Sequence, residues 1–98
     1  MTTHELKIRP KFFEAVVSGR KTFEIRKNDR NFKVGDCIVL KEYRKEKGYT
    51  GKRAMFNITY VMTDNEFVKR GFAVLGIKPY NPFLAFLEVI GKAGKDET

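Results

Sequence analysis

The sequence predicts a mainly β protein with flanking helices, an α+β chain in which about five strands curl into a small pseudo-barrel. Several segments alternate apolar and polar residues at the period of a half-buried strand. A helical pattern occurs early in the chain, and no repeat, low-complexity tract or linker separates one part from another. One early helix cannot cover both faces of five strands, so an antiparallel sheet that closes on itself is expected.

His4-Glu5-Leu6-Lys7-Ile8-Arg9 alternates and forms the first strand, with His4 on the face of Leu6 and Ile8 as a satisfied, partly buried histidine. Pro10 suits a first helical turn. Phe12, Phe13, Val16 and Val17 follow at helical spacing and Gly19 is the residue type wanted just past a helix end, so a short amphipathic helix covers Pro10 to Ser18. Thr22 to Lys27 alternates again: Phe23 and Ile25 are expected to anchor the core, with Thr22, Glu24 and Arg26 on a polar face. Asn28 and Asp29 shape the break that follows. Lys33-Val34-Gly35-Asp36 turns the chain into Cys37-Ile38-Val39-Leu40, a buried strand in which Cys37 is a core residue.

Lys41 to Lys52 is charged and contains Gly48 and Gly51, which predicts an exposed loop or hairpin end. Arg53 to Met62 is the longest expected strand, and Phe72 to Ile77 forms another core strand before Lys78-Pro79-Tyr80 turns. Asn81 and Pro82 are a cap and first-turn pair for a short helix carrying Phe83, Phe86, Leu87 and Ile90, and the tail from Gly91 frays. Residues 1–80 are thus one domain, and 81–98 a short helix and tail that do not form a second one.

Ninety-eight residues suffice for one core, and the 13% aromatic content supplies core volume. Twenty Lys and Arg against twelve Asp and Glu leave a net charge of +8, a field that favours polyanions, nucleic acid first among them. Cys37 is the only cysteine, which excludes an internal disulfide and a cysteine-based metal site. Asp29 and Asp36 have no metal-ligand spacing, and neither a metal nor a cofactor is expected. The start Met1-Thr2-Thr3-His4-Glu5 lacks a signal peptide's basic and apolar regions and no apolar run is long enough to span a membrane, so a cytoplasmic location without membrane partners is expected.

The chemistry concentrates in Gly19-Arg20-Lys21-Thr22-Phe23-Glu24-Ile25-Arg26. Glu24 and Arg26, two apart on a strand, share a face and form a fork in which the carboxylate orients the guanidinium. Lys21 grips phosphate as a point charge, or acts as base or nucleophile if a cleft desolvates it. Lys27, Arg30 and Lys33, then Lys41, Arg44, Lys45, Lys47, Lys52 and Arg53, are basic residues interleaved with Tyr43 and Tyr49. Such a combination either is plain solvated surface or holds single strands by stacking and phosphate neutralisation.

The pattern Gly-x-Lys-x-x-Glu-x-Arg, carried by Gly19, Lys21, Glu24 and Arg26, resembles the ASCH domains of the PUA-like superfamily. The fuller string Lys21 to Arg30, with Tyr49-Thr50-Gly51 later, is similar to a bacterial and phage branch, domain-of-unknown-function family 3850. The resemblance implies a PUA-like pseudo-β-barrel with a cleft lined by the motif and a role in binding RNA or a nucleotide. Lys21, Thr22, Glu24, Arg26, Arg30 and Tyr49 are the ligand-binding candidates. Some members of the superfamily are amidohydrolases on N4-acetylcytidine that use a lysine, a threonine and a glutamate, and another is described as a ribonuclease. Lys21 matches that lysine, Glu24 occupies the threonine's position, and Glu66 lies in the region of the glutamate. As an enzyme the chain would use Lys21 and Glu24 as an acid-base pair; a protein-interaction domain is a third reading.

Overall fold

The computed structural model describes residues 1–81, and the expected helix after Asn81 lies outside them. The elements run β1 (Thr3–Ile8), α1 (Pro10–Val17), β2 (Phe23–Lys27), β3 (Cys37–Arg44), β4 (Gly48–Met62) and β5 (Phe72–Pro79). They form one five-stranded sheet in the order β1-β3-β4-β5-β2. The sheet curls into a half-barrel with α1 packed against β3.

The core follows from the alternation. Leu6 and Ile8 of β1, Ile38 and Leu40 of β3, Phe56 and Ile58 of β4, and Ala73, Leu75 and Ile77 of β5 point inward. Phe13 and Val16, three apart on α1, close over them, and Phe32 fills the space beside His4 with ring centroids 4.8 Å apart. Pro10 opens the helix, and Gly19 ends it at φ +84°, a conformation that costs a residue with a Cβ.

The expected antiparallel closure is only partly present. β1 pairs β3 in parallel, from Thr3 opposite Cys37 to Ile8 opposite Glu42, so the sheet is mixed. The edges β1 and β2 are not joined by a backbone ladder. Two side chains cross the seam instead: Arg26 Nη2 donates to the Lys7 carbonyl at 2.6 Å, and Arg30 Nη1 to the Glu5 carbonyl at 2.9 Å. Guanidinium donors thus occupy carbonyls on the free edge of β1, a position that would otherwise invite pairing with another chain.

One further expectation is sharpened and one is corrected. Of the two readings of Lys41 to Lys52 the hairpin end is the one present: the segment supplies the ends of β3 and β4, which pair down to Arg44 opposite Gly48 around the turn at 45–47. Its charges are compatible with a strand because pairing is a backbone property and the cations face out. The shift in register after Lys41 sets one residue of β3, Glu42, against three of β4, Thr50 to Lys52, and Thr50 Oγ1 there donates to the buried Glu42 at 2.8 Å. Phe23 and Ile25 do not anchor the core: they are 42% and 57% exposed, whereas Glu24 is 4% exposed. Glu24 pairs with Leu75 and Arg26 with Ala73, both inward residues, and partners in a ladder share a face. The polar side of β2 therefore lines the interior of the half-barrel, and its apolar side faces out beside Gly76 and Val74 of β5.

On that outer face Gly76 lies between Phe23 and Tyr60 in register. A Cβ at Gly76 would be 3.2 Å from Tyr60 Cβ and 3.3 Å from Thr59 Oγ1. Gly76→Ala is expected to lower stability by about 1 kcal/mol through overpacking, read from the urea midpoint at unchanged m value.

Candidate functional site

Lys21, Glu24 and Arg26 converge where β2 leaves the end of α1. The Lys21 amide donates to the Ala15 carbonyl at 3.0 Å, which ties the residue to the last turn of the helix. Glu24 and Arg26 then point inward by strand alternation. Lys21 Nζ donates to Glu24 Oε1, and Arg26 Nε donates to Glu24 Oε2 at 3.0 Å. Each carboxylate oxygen thus faces one cation. With side-chain exposures of 19% for Lys21, 5% for Glu24 and 22% for Arg26, the carboxylate is interior and the two cations reach solvent. Glu24 aims the cations, and Arg26 divides its donors between Glu24 and the seam.

This triad borders an open cleft of about 470 Å³, completed by Lys7, Ile8, Arg9, Phe12, Phe23 and Ile25. The lining carries four cations and one carboxylate, so the field in the cleft is positive. Lys21 Nζ lies 5.4 Å from the Phe12 ring centre and 5.0 Å from that of Phe23, within cation–π range. Both rings are about two-fifths exposed and offer free surface to a ligand.

The other candidates divide. Arg30 and Tyr49 line a neighbouring depression of about 290 Å³ that shares Lys7 and Arg26 with the cleft. Thr22 does not line the cleft; it is exposed, and its carbonyl accepts a hydrogen bond from the Ile77 amide at 3.0 Å. Glu66 is likewise exposed and outside the lining. Sequence reasoning missed Phe12, Phe23, Lys7 and Arg9. Hydrophobicity points Phe23 to the core and makes Phe12 one of the apolar residues at helical spacing, and Lys7 and Arg9 reach the cleft only through folding of β1 beside β2.

The residues 3–77 match a family model described as Domain of unknown function (DUF3850). The chain belongs to that family. A relative of the chain is an uncharacterized 12.9 kDa protein in the GpA 3′ region of Escherichia phage P2, 40% identical over 58 residues. That match covers 59% of this chain and 52% of the phage protein, so the chain spans about half the length of that relative. The DUF3850 match contains the whole triad, both arginines at the seam and Tyr49.

Two other titratable groups, His4 and Cys37, lie in the interior of the DUF3850 domain. His4 Nε2 donates to Asp36 Oδ2 at 2.9 Å inside the fold, as expected for a satisfied histidine. Burial, then the charge of Asp36, push the Cys37 thiol up, which keeps it out of the reactive thiolate form. No cluster of three His, Cys, Asp or Glu side chains with metal-binding geometry occurs among the described residues. None of their helices is long and apolar enough to cross a membrane.

Proposed function

We propose that the cleft is a nucleotide site and that the domain binds RNA or a nucleotide through it. The observation that carries this reading is the pair of half-exposed rings, Phe12 and Phe23, flanking Lys21 above an interior ion triad. A base has a π-face for such rings, and Lys7, Arg9 and Lys21 supply positive charge for its phosphate. The resemblance of Gly19, Lys21, Glu24 and Arg26 to the ASCH pattern supports the same reading. The cleft lining contains no Ser, Thr, Cys or His, and Glu24 is engaged by both cations, which favours binding over nucleophilic catalysis.

Calorimetric titration with the four ribonucleoside monophosphates tests the reading. At least one is expected to bind, and Phe12→Ala, a change at a half-exposed position, is expected to weaken it by fivefold or more, corresponding to about 1 kcal/mol of stacking. Affinity is expected to fall as salt rises. Absence of binding by all four, or affinity indifferent to both Phe12→Ala and Lys21→Met, overturns it. Turnover of N4-acetylcytidine that Lys21→Met abolishes would move the site to hydrolysis.

A further inference from the structure

Beyond the cleft, the outward face of β1, β3 and β4 carries an arrangement that folding alone does not account for. Lys7 of β1 is the ladder partner of Lys41 of β3, and Lys41 is the partner of Arg53 of β4. Ladder partners share a face, so three cations stand in one row across three strands. Like charges directly opposite one another destabilise a sheet. Among the described residues a single carboxylate offsets the row, Glu5, whose Oε1 accepts from Lys41 Nζ at 3.1 Å.

Two tyrosines border the row. Tyr43 and Tyr49 are partners across the β3–β4 hairpin and pack edge to face with centroids 5.2 Å apart. Lys7 Nζ stands 4.4 Å from the Tyr43 ring centre and Lys41 Nζ 4.8 Å from that of Tyr49, while Tyr49 remains 52% exposed. The row is continuous with the cleft, because Lys7 and Arg26 line both the cleft and the depression that leads to Tyr49. With strands about 4.8 Å apart, the row extends the positive surface by roughly 10 Å.

We propose that this face carries the continuation of the strand whose first nucleotide occupies the cleft, so that the ligand is a single-stranded oligonucleotide rather than a free nucleotide. The proposal rests on the reading of the cleft as a nucleotide site. Phosphates following the first nucleotide lie over Lys7, Lys41 and Arg53 and relieve their mutual repulsion. A base stacks on the open side of Tyr49. The flat, one-sided geometry accepts an unpaired strand whose bases turn toward the rings.

Fluorescence anisotropy with the hexamers rU6 and dU6, beside calorimetry with UMP, tests this. At low salt a hexamer is expected to bind at least tenfold more tightly than UMP, and its log K to fall by about 2 more per log unit of salt, as three added phosphate contacts require. The ratio of rU6 to dU6 affinity assigns the sugar. Tyr49→Ala and Arg53→Gln are expected each to reduce hexamer affinity by fivefold or more while leaving UMP affinity unchanged. A hexamer no tighter than UMP, or a gain that survives both substitutions, overturns the proposal while the cleft reading stands. Hexamer binding that responds to Tyr49→Ala without any binding of mononucleotides upholds the row and removes the cleft reading. Binding of neither a hexamer nor any of the four ribonucleoside monophosphates removes both.

Discussion

Glu24→Ala is expected to lower the stability of the domain by about 3 kcal/mol, because it leaves two cations facing each other across the space of a buried carboxylate. The Lys21 ammonium and the Arg26 guanidinium are four-fifths buried, and both lose an acceptor in the same step. Their remaining contact with solvent places the effect at the low end for a broken buried pair. In a domain this small such a loss lowers the melting temperature by more than about 10 °C. Glu24→Gln keeps an acceptor and loses the charge, so an intermediate effect is expected. The exposed pair Arg20–Glu14, 3.5 Å apart with side chains 66% and 79% exposed, is the control. Arg20→Ala should change stability by no more than about 0.5 kcal/mol. Urea unfolding of the three variants at unchanged m value checks the series, and a Glu24→Ala midpoint indistinguishable from that of Arg20→Ala would sink it.

The same substitution has a functional consequence. Arg26 is aimed by Glu24 and also holds the carbonyl of Lys7 across the seam. Once the carboxylate is gone, the connection between β1 and β2 rests on Arg30 and on an Arg26 without its orienting partner. Folding and ligand capture therefore share side chains at this end of the half-barrel, and a motif residue there can be indispensable without touching a ligand.

Much of this was legible in the sequence, and the exceptions have common physical causes. The helix from Pro10 and its end at Gly19 follow from local chemistry, as do the buried run from Cys37 and the burial of His4 with Leu6 and Ile8. Alternation also marked β2, but a period of two does not say which side is inside. Hydrophobicity chose Phe23 and Ile25, and the fold chose Glu24 and Arg26, because Lys21 neutralises the carboxylate from a residue outside the strand's own alternation. The length of the arms of the β3–β4 hairpin was hidden for a related reason: cations dominate the segment, two glycines interrupt it, and the ladder that orders it involves only the backbone. The arginines at the seam and the parallel pairing of β1 with β3 depend on backbone acceptors far away in sequence, which leave no pattern to read. The triad was therefore recognisable as a group of residues, whereas its burial, its two phenylalanines and its continuation over Lys7 and Lys41 required the fold.

Asp36 holds the start of that parallel pair, and its removal is expected to have the second large effect. Its Oδ2 accepts from His4 Nε2 at 2.9 Å and from the Lys33 amide at 3.1 Å, and its Oδ1 accepts from the Thr2 amide at 3.1 Å. A parallel pair has no hairpin turn to set its register, and here a single carboxylate fastens the strand at Thr2 and His4 to the turn that begins β3. Burial alone would raise the Asp36 carboxyl; the hydrogen bonds from His4, Thr2 and Lys33, with the charge interaction with His4, outweigh it and hold the group below its ordinary value. A carboxyl depressed in the folded state adds stability that is fully present above its unfolded pKa of about 4 and disappears as pH falls through the lower folded value. Stability is therefore expected to decline below about pH 4, with a shallower decline in Asp36→Asn. That variant replaces one acceptor oxygen by an amide donor facing existing donors, and is expected to lose about 2 kcal/mol at neutral pH. Asp36→Ala, which leaves the His4 ring and two amides without their acceptor, is expected to lose about 3 kcal/mol. Urea midpoints measured from pH 3 to pH 7 for the parent and Asp36→Asn decide the matter: parallel pH profiles would show that the carboxylate does not govern acid sensitivity, whereas profiles that converge toward pH 3 are the expected result.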